Sequence, residues 1–239
     1  MALSDDLLNE VQTIISSPWD KRDGRKIPET EDVALAGGAV EIDATFLYAD
    51  LADSSKMAKE LDRRIAAKII KSFLYCASKL IIARGGKVVS FDGDRVMGVF
   101  YGDSKNSSAA KCALQTKWAV DQIREKFEAN YESVRNASFQ IRHGVGVDTG
   151  TVLAVRGGVR GTNDLIWIGR APNLAAKMSD VREHPYSSFI TAAVFNMLND
   201  ETKYGGDKKE LMWEQRTWNF LGDNLHVYRS RSEERRVGK

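Results

Sequence analysis

An α/β sandwich, one mixed sheet with helices packed on it, is the fold class that this 239-residue sequence predicts. Two observations carry the prediction: strand-like runs alternate with two long stretches of helical apolar spacing, and no segment repeats. A third concerns size. With 43% hydrophobic and 28% charged residues, a chain of this length buries one sizeable core.

The elements follow in order. Leu7, Leu8, Val11, Ile14 and Ile15 form a short amphipathic stretch, and the polar segment "SSPWDKRDGRKIPETED" follows it, so residues 1–38 read as a helical arm and a linker. Residues 39–230 then read as one domain. Val40 to Leu51, rich in Ile, Thr, Phe and Tyr, is a strand. Met57, Leu61, Ile65, Ile69, Phe73, Ala77 and Leu80 recur at helical spacing, and "RGG" at 84–86 stops that long helix. "KVVSFDGDRVMGVFYG" reads as two strands joined at the turn signal "DGD". A second long helix spans about 107–131, with Cys112, Leu114, Trp118, Ile123 and Phe127 on its apolar side. "FQIRHGVGVDTGTVLAVRG" and "DLIWIG" are strand segments, and "APNLAAKMSDV" is a helix starting near Pro172. The last stretch, "RSEERRVGK" at 231–239, looks like a translated sequencing adaptor and is set aside as a non-native tail.

Composition limits the partners. Thirty-five basic against 33 acidic residues give a net charge of +2, which offers no footprint for nucleic acid or a membrane surface. Cys76 and Cys112 lie in helix-like apolar patterns with no CxxC or Cys/His spacing, so they read as buried reduced thiols. No apolar run approaches the roughly 20 residues that cross a bilayer, and "MALSDDLLNEVQTII" is acidic where a secretory signal is basic. A cytoplasmic, soluble protein is expected.

"FLYADLADSS", 46–55, ends a strand on a carboxylate, Asp50. A strand end and an adjacent hairpin can bring Asp50 and Asp94 side by side at one sheet edge, where the two repel unless a cation lies between them. Oxygen-only ligands favour a hard ion, Mg²⁺ or Mn²⁺. On spacing alone the pair reads first as a turn Asp and a helix-cap Asp, ahead of a metal site.

Four segments together resemble the class III nucleotidyl cyclase catalytic domain: "FLYADL" its metal-binding strand, "GGKVVSFDGDRVMGVF" its hairpin, "IRHGVGVDTGTVLAV" its next strand pair and "WIGRAPNLAAKMSD" its Asn-bearing helix. They occur in the family's order over about residues 40–185, and "FLGDNLHVY", 220–228, resembles its last strand. The resemblance implies a mainly antiparallel, ferredoxin-like sheet flanked by helices. It implies two divalent ions held by Asp50 and Asp94, with the carbonyl of Leu51 a further contact and Asp92 a competitor for the second role. The amides of residues 51–55 would face a triphosphate, although Ser54 and Ser55 also fit simple helix capping. The reaction implied is attack of the ribose 3′-hydroxyl on the α-phosphorus, with pyrophosphate leaving in line. Asn173 matches the residue that orients the ribose. Lys177 stands where the family has an Arg on the transition-state phosphate, which keeps the charge and loses the bidentate fork. The family's site forms between two subunits, so a homodimer is implied.

The positions that read a purine in adenylate cyclases hold Ser90 and Ile166, which cannot reproduce that pairing. Tyr48 and Asp92 replace an aromatic and an apolar residue of the same pocket, and Arg95 is a further polar candidate. This pocket resembles that of the pyrimidine cyclases of bacterial Pycsar anti-phage systems. The resemblance implies UTP or CTP as substrate, cyclic UMP as the favoured product, and a separate effector that responds to it. A cytidylate cyclase, an adenylate cyclase with an altered pocket, and a non-catalytic nucleotide-binding module are the alternatives.

Overall fold

The computed structural model describes residues 2–220 and 222–233; the remainder of the tail, 234–239, and position 221 of the last resembling segment lie outside the described residues. In chain order the elements begin α1 (Leu3–Ser16), β1 (Asp20–Asp23), β2 (Gly38–Leu51), α2 (Ser54–Glu60), α3 (Arg63–Ala83), β3 (Lys87–Asp92), β4 (Arg95–Phe100) and α4 (Lys105–Asn130). They continue α5 (Glu132–Arg135), β5 (His143–Val159), β6 (Thr162–Ile168), α6 (Arg170–Ser179), β7 (Ser188–Thr191), α7 (Ala192–Asn196) and α8 (Asp200–Lys203). Short strands β8 (Tyr204–Gly205) and β9 (Glu210–Leu211) precede the closing pair β10 (Glu214–Phe220) and β11 (Asp223–Ser230).

Two compact units are distinguished, Met1–Asp43 with Thr151–Arg170, and Ala44–Gly150 with Ala171–Lys239. In the first, the expected helical arm is α1, whose apolar residues Leu7, Leu8, Val11, Ile14 and Ile15 are all more than half exposed. The segment expected to be a linker contributes β1, which pairs in parallel with the start of β2, Asp20 opposite Gly38. Val33, Val40 and Ala154 form this unit's small core, with Leu165 and Trp167 of β6 against it.

In the second unit the strands run β10-β11-β7-β5-β2-β4-β3. β5 and β7 are parallel, whereas β2–β4, β3–β4, β7–β11 and β10–β11 are antiparallel, giving a mixed, mainly antiparallel sheet. Leu47, Ala49, Val96 and Phe100 on one face bury against Ile69, Phe73, Ala77 and Ile81 of α3 and Ala110, Leu114 and Ile123 of α4. A second apolar cluster joins Leu174 and Met178 of α6 to Phe189 of β7 and Val227 of β11. Helical spacing of apolar residues on α3 and strand alternation on β2 and β4 thus meet in a dry interior.

Three local features position the site. The helix expected from Met57 to Leu80 is two helices, because Asp62 caps a new N-terminus by accepting the Arg64 amide at 2.9 Å. The β3–β4 hairpin turns at Gly93, whose φ of +60° lies in the left-handed region that favours glycine. Its ladder jumps from Val88 opposite Gly98 to Ser90 opposite Met97, a bulge that leaves Val89 without a cross-strand partner. Finally, α6 lies directly on β5 at two glycines. A Cβ at Gly144 would stand 2.2 Å from the Ser179 carbonyl oxygen, and one at Gly146 2.0 Å from that of Ala175. Only glycine admits a helix backbone so close to a strand.

Cys76 and Cys112 are free thiols, half-buried and buried, and burial pushes the Cys112 thiol up to about 12. Among the described residues no helix is long and apolar enough to cross a membrane.

Candidate active site

Strand register assembles the site. Across β2, β4 and β3, Tyr48 faces Met97 and Met97 faces Ser90; two residues on, Asp50 faces Arg95 and Arg95 faces Asp92. Because side chains alternate, these two rows share one face of the sheet, opposite the face that Ala49 and Val96 bury against α3 and α4. Asp92 lies two strands from Asp50, about 10 Å at ordinary strand spacing. Two carboxylates that share an ion approach much closer, so the row favours Asp94, in the turn beyond, over Asp92 as the partner of Asp50.

Asp50, next to last in β2, is 8% exposed. Arg95 donates from Nε to its Oδ1 at 3.2 Å, and Arg182 donates to its Oδ2 at 2.6 Å. Arg95 also pairs with Asp180, at the end of α6. Burial still holds the Asp50 carboxyl above its ordinary pKa, against the pull of Arg95, and the neighbouring charge of Asp94 pushes it further up. Two guanidinium groups therefore stand where the carboxylate pair calls for a cation, and they do not fully compensate for the lost water.

Asp94 shows the other half of that demand. Its Oδ2 is buried and has no hydrogen-bond partner. A buried carboxylate oxygen without a donor is costly, and one beside a second carboxylate is what a hard divalent ion satisfies. The residues present fit such an ion. No group of three or more His, Cys, Asp or Glu side chains gathers among the described residues, here or elsewhere, so the chain's own side chains offer an ion this carboxylate pair and no third ligand of those types.

After Leu51, whose side chain enters the core, Asp53 adopts a left-handed φ of +59° and α2 begins at Ser54 without any side-chain cap. The capping role open to Ser54 and Ser55 is thus unfilled. Tyr48 is half-buried, and burial raises its phenol pKa, with Asp92 adding to the rise against Arg95. Ser90 and Asp92 are exposed on the same face. Arg95, a candidate for the base pocket, instead spends its donors on Asp50 and Asp180.

Asn173 and Lys177 sit one turn apart on the exposed side of α6, opposite the buried Leu174 and Met178. Among the described residues neither side chain makes a hydrogen bond or ion pair, so this face of the helix is uncommitted within the chain. Ile166 belongs to the other unit, on β6 opposite Val155, and is 50% exposed. Arg182 and Asp180 were not expected from the sequence. Arg182 is 132 positions from Asp50, and neither periodicity nor a turn signal links them.

No family model matches the chain. Among proteins of known name, one called uridylate cyclase from Rhodovulum sp. (strain MB263) is 55% identical over 231 residues, 96% of each chain. Uridylate cyclases from Xanthomonas perforans and Burkholderia cepacia are 40% and 41% identical, covering 96% and 93% of this chain and 97% and 95% of their own. Among solved structures, the adenylyl cyclase CyaB from P. aeruginosa superimposes with a TM-score of 0.69 at 18% identity, over 84% of this chain and 99% of its own. The guanylyl cyclase Cya2 gives 0.67 at 16%, over 82% and 95%. At such identities the structures speak for the fold alone. Class III cyclases depend on divalent metal, act on nucleoside triphosphates and commonly dimerise. With relatives at 40–55% identity over nearly the whole of both chains, the chain belongs to the family of the uridylate cyclases, and its fold is that of the adenylyl and guanylyl cyclases.

Proposed function

We propose that the protein converts UTP to 3′,5′-cyclic UMP and pyrophosphate, using two divalent ions, Mn²⁺ or Mg²⁺. The observation that carries this reading is the pair of rows on one face of β2–β4–β3. They set Tyr48, Ser90 and Asp92, polar groups without a purine-reading pair, together on one surface of the sheet. The names of the 40–55% identical relatives support the same substrate.

Asp50 and Asp94 would hold the ions, with the Leu51 carbonyl completing the set. When bound, the ions lower the pKa of the ribose 3′-hydroxyl and neutralise the leaving phosphates. The 3′-oxygen then bonds to the α-phosphorus, the bond to the β-phosphate oxygen breaks, pyrophosphate departs and the hydroxyl proton passes to solvent. Asn173 orients the ribose. Lys177 sets one positive charge on the α-phosphate, as a point charge where Arg would form a fork. Asp92 accepts from uracil N3–H and the Tyr48 hydroxyl donates to O4; this pairing rejects a base that leaves those groups unpaired. The bare face of α6 supports a site shared by two subunits of a homodimer, Asn173, Lys177, Tyr48 and Ser90 of one serving Asp50 and Asp94 of the other. We read residues 39–230 as the catalytic domain of a cytoplasmic enzyme. Its product would signal to a separate effector in anti-phage defence.

The test is incubation of the purified protein with each of the four ribonucleoside triphosphates and Mn²⁺, followed by mass spectrometry of the products. Cyclic UMP from UTP is expected. Cyclic CMP or cyclic AMP as the main product would overturn the base assignment, and no cyclic product from any triphosphate would overturn catalysis.

A further inference from the structure

Two apolar surfaces of the first unit lie open to solvent. On α1, Leu3, Leu7, Leu8, Val11, Ile14 and Ile15 fall within one arc of about 140° at 3.6 residues per turn, and the helix buries no residue. A 14-residue helix without packing is marginal in water, so α1 calls for a surface to rest on. The β5–β6 hairpin carries the second. Its register sets Leu153 opposite Ile168 and Val155 opposite Ile166, on the face away from Leu165 and Trp167, which pack on this unit's small core. Ile166 and Ile168 are 50% and 52% exposed, and Val159, further along the same face, 68%.

Charge selects what covers what. The polar side of α1 holds Asp5, Asp6 and Glu10 and no basic residue, with Asp6 and Glu10 one turn apart along an edge of the apolar arc. Helices that lie in a lipid surface are rich in Lys and Arg there, so the acidic flank argues against a membrane. It argues equally against a second α1, whose carboxylates repel these. The hairpin has the opposite sign at its two ends. Arg160, in the turn, and Arg170, beyond β6, are exposed, and among the described residues neither makes an ion pair. Asp164, the only acidic residue from 151 to 170, is engaged by the Thr30 hydroxyl at 3.2 Å and the Leu165 amide at 2.7 Å. The lengths also agree. Fourteen helical residues span about 21 Å, and the seven residues of β6 about 23 Å.

We propose that α1 of one copy of this chain docks on the exposed face of the β5–β6 hairpin of a second copy, and reciprocally. Within one chain both surfaces stay uncovered, as their exposure shows, whereas a two-fold exchange covers both at once. Leu7, Val11 and Ile14 of α1 then bury against Ile166 and Ile168, and the acidic flank meets Arg160 and Arg170. The exchange supplies the apolar packing that a core of Val33, Val40 and Ala154 cannot provide alone. It is a contact apart from the α6 face and does not rest on the cyclase reading.

The test uses the full chain in a Cys76→Ala background, with Cys112 left buried. Chains carrying Leu7→Cys are mixed with chains carrying Ile168→Cys, treated with a short bismaleimide and digested for mass spectrometry. A linked peptide joining positions 7 and 168 of different chains is expected. Linkage of Leu7→Cys chains to one another would give the face of α1 to a second α1, and a doubly substituted chain that links only to itself would give it to its own hairpin; either overturns the proposal. By sedimentation equilibrium, Leu7→Ser with Val11→Ser should weaken self-association at least tenfold, thermal melts confirming the fold. Asp6→Lys with Glu10→Lys should weaken it as well, and adding Arg160→Glu with Arg170→Glu should restore most of the loss. Self-association unchanged in both pairs of variants, or binding to phosphatidylcholine vesicles that Leu7→Ser with Val11→Ser abolishes, would overturn the docking. None of these readouts needs a triphosphate, so failure of the contact and failure of the cyclase reading are distinguishable.

Discussion

Replacing Gly146 by alanine tests how rigidly α6 is set on the sheet. The added Cβ would lie 2.0 Å from the Ala175 carbonyl oxygen, 2.7 Å from the Met178 Cβ and 2.7 Å from the Ser179 amide, where ordinary contact begins at 3.4 Å. Two of these three atoms are backbone, so no side chain can swing aside, and α6 must retreat by more than ~1 Å. Overpacking of this kind costs about 1–3 kcal/mol, and a backbone clash belongs at the upper end. At about 2–4 °C per kcal/mol for a domain of this size, Tm should fall by roughly 6–12 °C. Asn173 and Lys177 ride on the same helix, on either side of Ala175. A displacement of ~1 Å in positioning groups costs on the order of a hundredfold in turnover, more than lost stability explains while the protein remains folded. Gly85→Ala separates the two effects. Its φ of +77° makes alanine strained, by about 1 kcal/mol, yet nothing lies within 4 Å of the new Cβ. Melting curves and kcat at 25 °C should show both losses in Gly146→Ala and a modest Tm change alone in Gly85→Ala. A Gly146→Ala protein with unchanged Tm and unchanged kcat would refute the close seating of α6 and the role given to its exposed face.

Three further outcomes are expected. Asp50→Asn and Asp94→Asn should each lower cyclisation by at least about a hundredfold, since each removes a charge that would hold metal. Their Tm should stay within a few degrees, because the Asp50 carboxyl is already strained by burial and by Asp94; wild-type turnover at saturating Mn²⁺ would show that the metal site lies elsewhere. Co-expressed Asp50→Ala and Asn173→Ala chains, each nearly inactive alone, should regain roughly a quarter of wild-type activity, because half of freely exchanging dimers are mixed and each of those holds one intact site. Purified heterodimers as inactive as their parents would place the chemistry within one subunit. Burial holds His143 neutral, with its pKa pushed down from 6.5 to about 3, so as pH falls below 6.5 the unfolded chain alone takes up the proton. Stability should therefore decline with falling pH by up to about 1.4 kcal/mol per unit from this group, and urea melts of His143→Leu between pH 7 and 5.5 should lack that share of the slope.

Much of the arrangement is legible in the sequence because it follows from short-range rules. The turn signal "DGD" and the apolar run ending at Asp50 suffice to put the two carboxylates at one sheet edge, and the turn does form at Gly93. Local rules fail where the apolar pattern and the backbone part company. Leu61 keeps its place in the core, 6% exposed, so its spacing reads as a continuous helix, although Asp62 starts a new one. β1 escapes notice because "DKRD" is wholly exposed and gains its strand character from pairing with β2 alone. The Arg182–Asp50 contact is beyond any such reading, since it depends on α6 and β2 being brought together by the whole sheet.

The bulge in β3 gives the site a parity. Were Val89 paired in regular succession after Val88, Met97 would face Val89 and Arg95 would face Phe91, so Ser90 and Asp92 would project toward the helices. The one extra residue turns both polar groups outward beside Tyr48 and Asp50 and takes Phe91 to the other side. The parity is held from both ends: the pairs Ser90–Met97 and Asp92–Arg95 count back from the turn at Gly93, and the extra residue lets Lys87 and Val88 keep partners of their own, Val99 and Gly98. A frame of one residue in an edge strand, far simpler than any substitution within the pocket, separates a polar recognition surface from an apolar one.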